Sequence, residues 1–431
     1  MLASAGPVIL SVCASLANFP GPRQDADLTA QKWQAGGNYT RHNACNVNAT
    51  PSGSRVVKTS HDEDKILGIE VLRFASAVAV LVFHYTHFSF HGTTEPDAAS
   101  AAQQPCFLWL KFLYRNGFYG VEVFWCISGF IFFWKYGRTI AAQAISGYRF
   151  FVLRFSRLYP LHLVTLLFMM VMQAVYHART GDFFAYRYND AYHFLLQLAM
   201  ASNWGLQVGD SFNGPIWSIS IEVLAYAVFF LTLRYISGSV FLLVAMVLAA
   251  SLIQVLGWSK HPFFPCIMYF YLGCLTAWLY EQQKHWKRLS SLTSVGALLI
   301  LAAAMTGYLL HLHAVDAKRL VILSAPPLVF LCVKHIPPSH KIAWWLVPAG
   351  NMTYSSYLLH VPIQITVVTL CAYAGWQVPV DQPVFFLVYL AFTLFLSYWT
   401  YELFEMPMQK LVRRHLAPTR TADLSRSPSP T

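Results

Sequence analysis

Six ionisable side chains, Arg73, His84, Glu122, His162, Glu222 and His360, fall inside stretches of sequence that are otherwise apolar. An ionisable group in hydrocarbon costs several kcal/mol unless it faces a cavity or a partner, which makes each of them a functional candidate. Arg73 and His84 are eleven residues apart, almost three helical turns, so they share one helix face about 16 Å apart along the axis. A guanidinium at one end of such a groove can hold an anionic group. At the other end an imidazole, with an ordinary pKa of about 6.5, can take the proton of a hydroxyl. The plainer reading is that Arg73 reaches back to the headgroups and His84 is a packed, hydrogen-bonded histidine.

Arg154 and Arg157 are spaced i, i+3 and share a helix face, with Arg149 nearby. Two guanidinium forks on one face suit phosphate oxygens, although cytoplasmic loop ends are basic in most membrane proteins. Trp217 and Ser218 precede Glu222, and Ser218 and Glu222 are i, i+4 neighbours. A carboxylate placed there can support an imidazolium, bind the hydroxyls of an acceptor, or hold a neighbouring helix. Glu122 has the same ambiguity between acceptor binding and structure. Ser128-Gly129 beyond it reads as a site of close helix approach rather than a nucleophile. His84, His87 and His91 are spaced i, i+3 and i+7, as helical metal or haem ligands could be. No cysteine or carboxylate clusters with them and the last two lie where the span ends, so no metal site is expected. The eight cysteines are scattered without a CxxC pair, which argues against a zinc ribbon or disulfide framework.

The elements that must position these groups follow from composition. Of 431 residues, 56% are hydrophobic and 11% charged, with a mean hydropathy of +0.45. Soluble domains carry about 25% charged residues, so the chain reads as an all-α, polytopic integral membrane protein with about ten transmembrane helices. Apolar runs of spanning length lie at 67–87, 117–136, 158–177, 217–236, 239–257, 265–282, 291–311, 318–335, 354–374 and 383–403. Only a tight turn near Ser237 and Gly238 separates the fourth run from the fifth, which predicts an antiparallel hairpin. With the amino terminus inside, sixteen basic residues fall on inner loops and the tail and seven on outer loops. Both termini are therefore expected in the cytoplasm of a plasma or inner membrane. The net charge of +11 becomes a topology signal and calls for no nucleic acid.

Residues 1–65 are polar and lack a helical period after a short apolar run from Pro7 to Ala17, and are expected to form a disordered cytoplasmic extension. The alternative is a cleaved signal, which would expose the sequons at Asn38 and Asn48 and invert the topology. No basic residue precedes the run, against that reading. The membrane domain is expected over 66–412, and residues 413–431, ending SRSPSPT, as a disordered tail.

Taken in order, six segments resemble the acyltransferase-3 family of membrane-bound O-acyltransferases. They are Leu67-Gly68-Ile69-Glu70-Val71-Leu72-Arg73 leading to Phe83-His84, then Gly117-Phe118-Tyr119-Gly120-Val121-Glu122-Val123-Phe124 through Ser128-Gly129-Phe130. There follow Arg154-Phe155-Ser156-Arg157-Leu158-Tyr159-Pro160-Leu161 and Pro215-Ile216-Trp217-Ser218-Ile219-Ser220-Ile221-Glu222. Last come Ser355-Ser356-Tyr357-Leu358-Leu359-His360-Val361-Pro362 and Tyr401-Glu402-Leu403-Phe404-Glu405-Met406-Pro407. The first departs from the family's usual Asp-Gly-Leu-Arg-Gly in lacking both glycines. The segment after Glu222 lacks the usual second acid.

The resemblance implies ten helices, both ends inside, and an acyl-coenzyme A co-substrate arriving from the cytoplasm, with no resident cofactor. It implies His84 as the catalytic residue, a base or else a covalent acyl carrier, and Glu222 as the supporting acid. Arg73, Arg154 and Arg157 would bind the donor, and Glu122, Trp217, Ser218 and His360 would bind the acceptor or serve structure. The expected reaction is transfer of an acyl group, acetyl in the first instance, to a hydroxyl of a carbohydrate-containing acceptor such as a surface polysaccharide. The expected partners are thus membrane lipid, donor and acceptor. A transporter or flippase is the competing class, but such proteins usually show repeated halves, and no internal repeat is visible in the sequence.

Overall fold

The computed structural model describes residues 66–97, 102–236, 238–283, 287–311, 316–336 and 343–417. The chain divides into two units after residue 58, and every described residue belongs to the second. The expected extension over 1–65 with its sequons, Ser237 of the expected turn, and the tail from Pro418 lie outside the described residues.

The all-α expectation holds: among the described residues the regular elements are helices, joined by turns and irregular connections, with one isolated bridge between His91 and Thr94. The helices are α1 (Leu67–His84), α2 (Phe107–Asn116), α3 (Gly120–Ala141), α4 (Gly147–Thr180), α5 (Ala191–Leu198), α6 (Ile216–Tyr235) and α7 (Val240–Val255). They continue with α8 (Phe263–Gln283), α9 (Lys287–Leu309), α10 (Ala317–His335), α11 (Ala343–Asn351), α12 (Thr353–Ala374), α13 (Pro383–Thr400) and α14 (Met406–Leu416). Hydrocarbon offers a peptide group no hydrogen bond, so a chain this apolar closes its bonds within each helix.

Each of the ten expected runs is a helix, but eight helical segments among the described residues are long and apolar enough to cross a membrane. The two that fall short do so for different reasons. The 16 residues of α7 make about 24 Å of helix, less than a hydrocarbon core of about 30 Å. The 19 residues of α10 include Lys318, Arg319 and Lys334, along with the prolines Pro326 and Pro327. The expected hairpin also pairs differently, since α7 packs mainly on α8 while α6 packs on α3 and α8. Its buried residues Leu243 and Ala250 are seven apart and so lie on a single face.

The firmest contact in the bundle is between α3 and α8. A Cβ added at Gly129 would overlap the carbonyl oxygen of Phe270, and one at Gly273 would overlap that of Cys126. The two glycines therefore let the backbones approach reciprocally, as expected for Gly129 from its sequence, and the Cys274 thiol donates to the Gly129 carbonyl at 3.4 Å. Replacing Gly129 by leucine is expected to destabilise the bundle by about 3 kcal/mol or more, because backbone rather than a flexible side chain must yield. Gly296, with nothing within 4 Å of an added Cβ, is the control. Thermal unfolding in detergent should drop sharply for Gly129→Leu and hold for Gly296→Ala; equal midpoints would refute the contact.

α4 positions the donor-side candidates. Ser146 caps it by accepting from the Arg149 amide at 3.2 Å, so the helix begins well ahead of the apolar run and carries Arg149, Arg154 and Arg157 on its first turns. At the other end of the chain α13 continues through a π turn, Tyr401–Glu405, into α14. Residues 413–416, expected within the tail, are helical and pack with α14 on α4.

Candidate active site

The polar groups of the bundle gather in two sets, joined along α1. The first surrounds Arg73. Its Nη1 donates to Glu70 at 2.9 Å, one turn away, and both side chains are largely covered. Arg157 pairs with Glu405 at 3.5 Å, and Glu405, only 3% exposed, also accepts from the Ser355 hydroxyl at 2.7 Å. Arg154 is held otherwise: its guanidinium lies over the rings of Phe132 and Tyr136, 4.7 and 5.0 Å from their centroids, and donates to the Tyr136 hydroxyl at 2.7 Å. Such stacking and a single neutral bond fix a guanidinium without neutralising it.

Glu222 belongs to this set. Its carboxylate has the hydroxyls of Ser128 and Tyr226 as hydrogen-bonding neighbours and Arg154 and Arg73 within electrostatic reach, and its Oε1 is buried without a partner. It makes no hydrogen bond to His84.

The second set lies at the far end of α1. The His84 ring is 4.9 Å from both the His87 and His360 rings. His84 Nδ1 lies 3.1 Å from the Val80 carbonyl oxygen. A carbonyl can only accept, so Nδ1 carries the hydrogen and Nε2 of the neutral ring presents a lone pair. His360 repeats the arrangement, with Nδ1 3.3 Å from the Ser356 carbonyl and Nε2 buried without a partner. Gln364 ties the set together: its amide nitrogen donates to the His84 carbonyl at 2.7 Å and to the Tyr389 hydroxyl at 3.1 Å, while its oxygen accepts from His87 Nδ1 at 3.3 Å. His84, half-buried, presents an imidazole nitrogen able to accept a proton in a site shielded from bulk water.

The remaining candidates divide between the two sets and the packing. Ser218 bonds the Tyr357 hydroxyl at 2.7 Å, and Tyr357 donates to the Pro215 carbonyl at 2.9 Å, so this pair pins the start of α6 to α12. Trp217 meets Trp125 edge-on, at 5.9 Å between centroids. Glu122, in the first turn of α3, has a buried Oε2 without a partner and lies within electrostatic reach of Lys318. His162 bonds the Gln197 carbonyl at 2.7 Å and anchors α5, with no ring contact to His84. The i, i+3, i+7 register of His84, His87 and His91 does not form, because the α-helix ends at His84 and His91 sits in a turn beyond the 3₁₀ segment Tyr85–Ser89. A cavity of about 490 Å³ opens between Met170, Gln173, Phe183, Phe194 and Phe212, and none of the expected site residues lines it.

Spacing did not reveal Gln364, Ser355, Glu405 or Arg413. Gln364 is uncharged, and a search for ionisable intruders passes over it. Glu405 stands in one of the quoted segments, and an acid close to the end of an apolar run is the signal by which it could have been found.

This is a polytopic membrane bundle with a cationic set at one end of α1 and imidazoles at the other. The chain belongs to the acyltransferase-3 family, since residues 66–402 match that family's acyltransferase domain, and it is therefore an acyltransferase. No curated protein and no solved structure matches it.

Proposed function

We propose that the protein moves an acyl group, acetyl in the first instance, from acyl-coenzyme A to a hydroxyl of a carbohydrate-containing acceptor such as a surface polysaccharide. The observation that carries this reading is α1 itself, which sets Arg73 among arginines at one end and the free Nε2 of His84 at the other. Both termini are taken as cytoplasmic, so the donor meets Arg154 and Arg157 first and Arg73 guides its thioester toward His84. The acceptor hydroxyl gives its proton to His84 Nε2 as its oxygen bonds to the thioester carbonyl carbon. The tetrahedral intermediate expels the thiolate by breaking the C–S bond, and the imidazolium returns the proton to sulfur, leaving an ester and free coenzyme A. Glu222 serves by holding Arg73 and Arg154 in place, while Glu122, Ser218, Trp217 and His360 shape the acceptor side.

The test compares surface glycans of cells with and without the gene by mass spectrometry. Acetyl-sized increments should vanish on deletion and return with the intact gene. Unchanged glycans, together with no release of free thiol when purified protein is given acetyl-coenzyme A and a glycan acceptor, would overturn the proposal.

A further inference from the structure

The arginine set contains a member that the α4 spacing does not supply. Arg413, on α14, donates from Nε to the Ser156 hydroxyl at 3.1 Å, and Ser156 lies between Arg154 and Arg157 on α4. That bond brings Arg413 within electrostatic reach of both arginines. Three guanidiniums from two elements so distant in sequence repel one another unless something negative offsets them. The bonded carboxylates account for Arg157, through Glu405, and for Arg73, through Glu70. Among the described residues neither Arg154 nor Arg413 pairs with an acid at salt-bridge distance, although Glu222 acts on Arg154 from further off.

A second observation points to a ligand. The Nε–H of Arg154 is buried without a hydrogen-bond partner, on a guanidinium already locked over two aromatic rings. Buried charged donors of this kind are rarely left unbonded in a finished structure. Arg413 uses only its Nε in the bond to Ser156, which leaves both terminal nitrogens of its fork for another acceptor. Two neighbouring guanidinium forks with donors unbonded suit the oxygens of a phosphate group.

We propose that Arg413 and Arg154 together form a phosphate clamp, on the face of α4 covered by α14, that grips the phosphate-bearing end of the donor. The clamp rests on the reading that the donor is a coenzyme A thioester. It assigns Arg157 mainly to Glu405 and gives the donor's charged end to Arg154 and Arg413. It also ties donor binding to the docking of α14 on α4.

The same chemistry could be met by the headgroup of an anionic lipid, so the test separates the two sources. Full-length protein in nanodiscs of zwitterionic lipid is titrated with coenzyme A and with 3′-dephospho-coenzyme A. Arg413→Ala should weaken coenzyme A binding roughly 10- to 100-fold, Arg413→Lys should recover part of the loss, and Arg414→Ala, on the exposed side of α14, should leave it unchanged. The loss should shrink as ionic strength rises. If the clamp holds the 3′-phosphate, Arg413→Ala should lose little further affinity for the dephospho form; if it holds the diphosphate, it should lose the same factor for both. Wild-type affinity in Arg413→Ala overturns the clamp while leaving the donor reading intact. No coenzyme A binding by the wild type overturns the donor reading itself. A variant that keeps its affinity for coenzyme A but loses thermal stabilisation by phosphatidylglycerol assigns the arginines to lipid, and also overturns the clamp.

Discussion

Replacing His84 by alanine is expected to lower acyl transfer by about 10²- to 10⁴-fold, equivalent to about 3 to 5 kcal/mol of barrier, with the protein still folded. The size follows from the loss of a half-buried imidazole at that end of α1 that is fixed in its tautomer by Val80. The fold loses little, because the only hydrogen bond of the ring stays within its own helix and the Val80 carbonyl keeps its helical partner. Monodisperse elution and an unchanged unfolding midpoint would accompany the loss of turnover. Single turnover with labelled acetyl-coenzyme A and no acceptor separates the two roles of the imidazole. A base leaves no label on the protein, whereas an acyl carrier leaves label on His84 itself. Full turnover in the alanine variant would end the catalytic assignment.

The second large effect is on stability. Arg157→Met strips the nearly inaccessible Glu405 of its counter-ion and leaves Ser355 as its hydrogen-bond donor. Breaking a buried ion pair from one side costs about 3 to 5 kcal/mol, and the lower end applies here because the Arg157 side chain is 27% exposed and partly screened. That is a large share of a domain stability of about 5 to 15 kcal/mol. The double variant Arg157→Met, Glu405→Met should recover most of the loss, since a paired charge can be replaced by apolar volume at little cost. Thermal unfolding of the two variants provides the measurement, and a single variant as stable as the wild type would show that the pair does not hold α4 to the π turn. Catalysis by the double variant then separates roles: a normal KM for acyl-coenzyme A leaves Arg157 with a structural role, and a raised one gives it a share in the donor as well.

How much could be read in advance depended on the range over which each residue acts. Arg73 and His84 share a helix, and their spacing placed them on one face about as they stand. Gly129 could be recognised because a glycine beside a small residue in an apolar run has few uses other than close approach. Glu222 was found as an intruder in an apolar run, but its partners could not be named, because a carboxylate on α6 gives no hint in its own sequence that Ser128 on α3 and Arg154 on α4 are its neighbours. α7 was expected beside its neighbour in sequence and packs instead on α8, since a helix apolar on all sides carries no preferred face. Among the described residues eight of the ten expected runs are long and apolar enough to cross a membrane, and the other two differ in length and end charge, which a hydrophobic run alone does not weigh.

Composition, apolar run length and the few ionisable residues within the runs determined by themselves that this is an all-helical membrane protein and where most of its candidate chemistry lies. Those properties are local: each span must satisfy its own backbone, and each charge in hydrocarbon stands out against its own neighbours. The partners of those charges were decided only by the tertiary structure. Gln364 meets the His84 carbonyl from 280 residues away and Arg413 meets Ser156 from 257. Periodicity relates residues three, four or eleven apart on one helix, and says nothing of which two helices will touch. The pairing of distant arginines, acids and imidazoles depends on packing, and it is packing that brings Arg413 of α14 to Ser156 on α4 and gathers the His84, His87 and His360 rings.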